Sequence, residues 1–201
     1  MNKIFYVFIF LMISCQTINH TQNRILPHRN QNSISGSEFI KQALLVDKNK
    51  QENLILKEIL SGNFPKFIRK WERIDVTLNL ANSKTIKAYY YVLPDYLMIG
   101  SDDNFCRIPM QPKTAQMIAD KFNCFLSTRK ICNDVYKAAK VKLEPYPLTE
   151  FRDSLITFYQ HNQLIEQQRK RRKGLIAGIK KAVVLSSALL RSEKQNRVAI
   201  Y

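Results

Sequence analysis

The hydrophobic pattern changes period near residue 72, and that change sets the fold class. Upstream, Leu54, Ile55, Ile59 and Leu60 recur at helical spacing, and Gly62 follows where a helix-ending glycine belongs. Phe64, Phe67, Ile68 and Trp71 carry a helical apolar stripe past Pro65. Downstream, Val76, Leu78 and Leu80 alternate with Thr77 and Asn79. After the turn-forming Asn82-Ser83, Ile86, Ala88, Tyr90 and Val92 alternate with Lys87, Tyr89 and Tyr91. Successive strand side chains point to opposite faces, so two alternating runs around such a turn predict a β-hairpin.

The remaining segments mix both periods. Ser37 to Leu45 is expected as a first helix with Ser37 as its cap. Pro94-Asp95 makes a turn, Tyr96 to Ile99 a third strand, Gly100 to Asn104 a loop, and Phe105 to Pro109 a short extended segment. Thr114 is expected to cap a helix bearing Ile118 and Phe122, and Ser127 to cap another bearing Ile131, Val135 and Ala138. Pro145 and Pro147 break the chain before a long helix from about Thr149 to Lys173. Gly174 and Gly178 then interrupt the helical pattern. Ala182 to Leu185 reads as a strand, Ser186 to Arg191 as a helical turn and Val198 to Tyr201 as a strand. There are no internal repeats. The expected class is α+β: a small antiparallel sheet with a β-hairpin, flanked by several helices including one long basic helix.

The N-terminus bears on location. Lys3 precedes an uncharged apolar run from Ile4 to Ile13, about half of the roughly 20 residues that a membrane-spanning helix needs. Ser14 directly before Cys15 fits a bacterial lipoprotein cleavage site, with Met12 where Leu is usual. Residues 1–15 are therefore read as a signal peptide ending in a lipidation cysteine, with plain secretion and a cytosolic start as the alternatives. Two or more acyl chains on Cys15 would hold the protein stably on a membrane, where a single chain would not. Residues 16–35, rich in Asn, Gln, Thr and Ser, are expected to be a flexible tether. Residues 36–201 are expected to form a single α+β domain, large enough for its own core. Because Tyr201 stands within an expected strand, the domain is expected either to run on past it or to end on an edge strand.

Charge points to partners. Lys and Arg number 32 against 16 Asp and Glu, a net charge of +16, which attracts polyanions. For an exported chain these are anionic envelope polymers or lipid headgroups; nucleic acid is the partner only if the chain is not exported. The densest stretch is Arg169, Lys170, Arg171, Arg172 and Lys173, followed by Lys180 and Lys181, with no acid between. At the end of a long helix these cations suit the negative end of its dipole, and they also form a solvated face. Near an anionic membrane each contributes about 1 kcal/mol. Tyr89, Tyr90 and Tyr91 offer a sugar-stacking face, although alternation turns at least one of them inward.

Catalytic signals are weak. With Cys15 lipidated, Cys106, Cys124 and Cys132 remain, so one disulfide of open pairing leaves one thiol. Cys124 reads as lying just before a helix, a position that lowers a thiol pKa. His161 would be its base, with Asp134 or Asp153 as orienter. The alternative for each cysteine is a small packed apolar residue. His20, His28 and His161 are too few and too scattered for a catalytic zinc, which needs about three converging protein ligands, and no metal or other cofactor is expected. Asp102-Asp103-Asn104 offers oxygens, but lacks the later acid of a calcium-binding loop and reads as a turn.

The stretch Pro94 to Phe105, then Arg107-Ile108-Pro109-Met110, resembles part of a family of uncharacterised exported bacterial proteins. So do Thr114-Ala115-Gln116, Ile118-Ala119-Asp120, Leu126 to Lys130, and Arg197 to Tyr201, a likeness spanning about residues 60 to 201. The resemblance implies a continuation past Tyr201 containing a Gly-Trp-His and an Asp-Tyr-Ser-His-Gly stretch, which looks like a hydrolase site of a kind that can be metal-dependent. This chain departs from the family pattern at Ser127, where Pro is usual, and at Ile179 and Ala182, in a segment that tends to carry His and Asp. Such losses weaken any catalytic role placed there. The residues support three expectations. The first is a lipoprotein that binds anionic envelope polymers or headgroups. The second is the N-terminal part of an envelope hydrolase whose catalytic residues lie beyond Tyr201. The third is a nucleic-acid-binding protein, if the chain is not exported.

Overall fold

The computed structural model describes residues 26–146, 151, 154–178, 183–184 and 199–200. Its elements run α1 (Gly36–Ala43), α2 (Lys48–Leu60), β1 (Glu72–Asn79), β2 (Thr85–Val92), β3 (Met98–Gly100) and β4 (Phe105–Arg107). Then come α3 (Pro112–Lys121), α4 (Arg129–Ala138), β5 (Val141–Lys142), α5 (Leu155–Arg169), β6 (Ile176–Ala177), β7 (Val183–Val184) and β8 (Ala199–Ile200). The class is α+β, as the change of period requires. The expected β1–β2 hairpin forms, with Val76 opposite Ala88 and Leu78 opposite Ile86. The third strand and the following extended segment pair as β3–β4.

One pairing is foreshadowed by no sequence pattern. β5 runs parallel to β6, with Val141 beside Ile176 and Lys142 beside Ala177. A parallel pair needs a long crossover, and the stretch containing α5 supplies it. Two residues per strand are too few for any alternation to register.

Several boundaries move for local reasons. Ser35, not Ser37, caps α1: its side chain accepts from the Glu38 N–H, and Glu38 returns the bond to the Ser35 N–H. Ser37 instead meets Asn104, whose side-chain oxygen accepts from the Ser37 N–H at 3.0 Å and whose amide donates to the Ser37 hydroxyl at 2.9 Å. Thr114 lies buried inside α3, which starts at Pro112, and Thr128 rather than Ser127 caps α4. The stripe beyond Pro65 is only a 3₁₀ turn, Lys66–Arg69. Asp102 accepts from the Lys66 N–H at 2.8 Å, so the Asp102–Asn104 loop ties down two helix starts.

Residues 26–35 do not behave as a tether. Leu26 is buried in the main core, with Ile34 packed against it. Arg69 donates to the Pro27 carbonyl at 2.7 Å, and Arg29 donates to the Asn63 side chain and the Ser33 carbonyl. Two apolar anchors and two guanidinium groups that satisfy loop carbonyls hold the segment, and its polar average concealed them. Residues 16–25 lie outside the described residues.

The main core gathers Phe39, Ile40, Ile55, Ile59, Phe64, Ile68, Met98, Ile99 and Cys106 from α1, α2, the 3₁₀ turn and the connection before it, and the β3–β4 pair. Close approach decides its glycines. A Cβ on Gly36 would lie 2.6 Å from the Phe105 backbone, and Gly100, at φ 128°, would meet the Asn104 carbonyl. A smaller cluster of Ile74, Ala139, Leu175 and Ala177, with Val76, Tyr90, Val92 and Val135 packed against it, seats the base of the hairpin on α4.

A buried ion pair joins these parts. Arg107, on β4, donates Nε to Asp95 at 2.9 Å and Nη2 to the other oxygen of the same carboxylate at 2.5 Å. The two side chains are 7% and 1% exposed. From α5, the Asn162 side-chain oxygen accepts from both the backbone N–H and the guanidinium of Arg107, and its amide donates to the Phe105 carbonyl. Glu166 adds a charge contact at 2.8 Å, poorly aligned as a hydrogen bond. Around Asp95, the Pro94 carbonyl accepts from the Ile176 N–H, and the Tyr96 hydroxyl accepts from the Gly178 N–H. Asp95→Ala would leave the Arg107 charge buried without its fork partner. A loss of about 3–5 kcal/mol in urea unfolding is expected, with a smaller loss when Asp95→Leu is combined with Arg107→Met. A single variant as stable as the parent would contradict this role.

Candidate functional site

The basic cluster is a turn rather than a helix. α5 was expected to run to Lys173 but stops at Arg169, because Lys170 adopts the left-handed conformation at φ 49° and Arg171 follows at φ 60°. Arginines stabilise this turn. Arg172 donates Nε to the Arg169 carbonyl at 3.0 Å and Nη2 to the Gln168 carbonyl at 2.8 Å, satisfying orphan acceptors at the helix end. Arg169 returns a bond from Nε to the Arg172 carbonyl at 2.9 Å. Its guanidinium stacks over the Phe67 ring and reaches Glu166 at 3.4 Å. Glu166 therefore sits between Arg107 in the interior and Arg169 at the rim.

The seven cations expected to bind anions thus separate. Arg169, with its side chain 13% exposed, is internal. Arg172 is exposed, but its guanidinium is engaged by the helix end. Lys170, Arg171 and Lys173 are exposed and have no ion-pair partner among the described residues. Lys180, Lys181 and the lipidation candidate Cys15 lie outside the described residues.

The parallel β5–β6 pair adds a cation that sequence distance hides. Gly174, at φ 105°, lies against the Lys140 side chain, and the Lys140 N–H donates to the Leu175 carbonyl at 3.0 Å. Exposed Lys140 therefore stands beside the turn, about thirty residues away along the chain. Lys142 is exposed on the adjoining strand, its ammonium 5.2 Å from the Tyr136 ring. No sequence signal marks either lysine, because a two-residue parallel bridge brings them in. Cations on one exposed turn with a neighbour alongside can hold phosphate or carboxylate groups by charge-assisted hydrogen bonds.

The thiol candidate fares differently. Cys124 follows the end of α3: its N–H donates to the Ala119 carbonyl at 2.8 Å, and the thiol donates to the Phe122 carbonyl at 3.3 Å. It thus occupies the C-terminal end of a helix instead of the N-terminal end expected. α4 begins only at Arg129. Asp134, one proposed orienter of His161, accepts from the Tyr90 hydroxyl at 3.0 Å and from Lys130 at 2.5 Å. The Lys130 bond, with that of Tyr90, holds its carboxyl below the usual range. The other, Asp153, lies outside the described residues. His161 sits within α5, half-buried.

Cys106, Cys124 and Cys132 are all unbridged thiols. Burial pushes the Cys106 thiol up to about 12 and raises Cys132 as well, so neither is poised as a nucleophile. Among the described residues no three His, Cys, Asp or Glu side chains gather as a metal site. Of the three tyrosines, Tyr90 turns inward to Asp134, while Tyr89 and Tyr91 face solvent with ring centroids 5.9 Å apart. Arg73, bonded to Asp75, covers one face of Tyr89 at 4.1 Å. No family model matches the chain, and neither a curated protein nor a solved structure does.

Proposed function

We propose that this protein is an exported lipoprotein, anchored through Cys15, that docks anionic envelope polymers or lipid headgroups on the turn from Lys170 to Lys173. The observation that carries the reading is the division of labour within the basic cluster. Arg169 and Arg172 fix the turn, while Lys170, Arg171 and Lys173 project from it with Lys140 alongside. A solvated face that served only solubility would need no such ordered support. The net charge of +16 adds long-range attraction for the same partners. Export rests on Lys3, the apolar run from Ile4 to Ile13 and the Ser14-Cys15 junction.

Inorganic polyphosphate isolates the anion site from any lipid. Replacing Lys170, Arg171 and Lys173 by Ser is expected to weaken its binding about a hundredfold at low salt, from about 1 kcal/mol per cation. The salt dependence should flatten by about two to three counterions. Unchanged affinity would refute the site. Location is tested separately. The membrane-fraction protein is expected to begin at Cys15 and carry lipid by intact mass, and Cys15→Ser should release it; a cytosolic protein retaining Met1 would refute export and restore nucleic acid as the partner.

A further inference from the structure

The β1–β2 hairpin is covered on one face for only half its length. Its register puts Ile74, Val76 and Leu78 on one face with Tyr90, Ala88 and Ile86 opposite, and Leu80 continues that face. Near the base, Ile74 is 4% exposed and packs with Tyr90 against the cluster that seats the hairpin on α4. Toward the turn the cover ends: Leu78 is 38% exposed, Leu80 43% and Ile86 39%. Three neighbouring aliphatic side chains are left facing water, on a two-stranded ribbon that is marginal by itself.

The charge around these side chains selects an occupant. From Val76 to Pro94 there is no acidic residue, while Lys84 and Lys87 are exposed. The nearest acid, Asp75, is paired with Arg73. Lys84, whose carbonyl accepts from the Leu80 N–H, borders this face, Lys87 stands opposite Thr77 on the reverse one, and a second copy of the same surface would bring no acid to meet them. An anionic bilayer instead offers headgroup phosphates to the lysines and acyl chains to the aliphatics. With this face toward the bilayer, Leu78, Leu80 and Ile86 reach the acyl boundary while Lys84, beside the turn, extends to the phosphates.

We propose that the distal half of this hairpin inserts into the surface of an anionic phospholipid bilayer. The proposal rests on the envelope reading above for its setting, but its chemistry is separate: it needs the apolar tip, whereas polymer docking needs the turn after α5.

The test uses the full chain and vesicles of phosphatidylcholine with about 30 mol% phosphatidylglycerol, read by co-sedimentation at about 0.1 M and about 0.5 M salt. The variant Leu78→Thr, Leu80→Asn, Ile86→Thr keeps strand-compatible residues, and its fold is checked by circular dichroism. It is expected to lose about tenfold in vesicle affinity at both salts, while polyphosphate binding stays at the parent level. Lys84→Gln with Lys87→Gln, which touches no packed residue, should lose affinity at the lower salt only. The variant in the turn after α5 should keep its salt-resistant binding. A parent chain that ignores these vesicles would overturn the proposal, as would tip and lysine variants that bind as tightly as the parent. So would a parent dimer that the tip variant dissolves with vesicle binding unchanged.

Discussion

The fold turns on one buried guanidinium. Arg107 meets the Asp95 carboxylate through two bonds, takes a third group from Asn162, and faces Glu166. Burying a charge costs several kcal/mol, so such a pair persists only when its remaining donors are satisfied and its geometry is fixed from several sides. Here β4 supplies the arginine, the β2–β3 connection supplies the carboxylate, and α5 supplies the amide and the second acid. The same connection accepts backbone bonds from β6 and the Gly178 that follows it, through the Pro94 carbonyl and the Tyr96 hydroxyl. Loss of this pair would therefore separate elements that are distant in sequence.

From that point the surface can be followed outward. Glu166 faces Arg107 with one oxygen and Arg169 with the other, so the end of α5 is tied to the interior. The turn beyond it is stabilised by reciprocal bonds between Arg169 and Arg172, and the chain then enters β6 beside β5. That pairing sets Lys140 next to the turn and lays Leu175 and Ala177 under the hairpin base. The basic turn and the apolar hairpin tip thus hang on the same framework, yet each has its own chemistry: localised cations at one, aliphatic side chains with sparse lysines at the other.

What could be read in the sequence was what repeats over several residues. The alternation from Val76 to Val92 predicts the hairpin, and the Leu54–Leu60 spacing predicts α2. The caps of α1 and α4 lie two residues and one residue from those expected because Ser35, Ser37, Ser127 and Thr128 are chemically alike, and only tertiary partners such as Asn104 choose among them. The basic stretch was visible as composition, but its conformation was not: nothing local foretells that Lys170 and Arg171 both turn left-handed. Nor did the sequence mark Asp95, Arg107, Asn162 and Glu166 as a set, because a buried charge cluster is defined by contacts across tens of residues. Cys124 was misplaced for the same reason as the caps, since the end of one helix and the approach to the next look alike when they are a few residues apart.

The buried cluster holds the basic turn in shape through Glu166, whose two oxygens face Arg107 and Arg169. Amide hydrogen exchange of a Glu166→Gln variant tests this most directly, because the substitution keeps size and removes the charge that faces both arginines. Faster exchange is expected at Lys170 and Arg172, whose N–H groups bond to the Glu166 and Arg169 carbonyls, with the α2 amides around Ile55 and Ile59 still protected. Exchange at the turn unchanged from the parent would contradict it and would make the turn a property of its own arginines alone.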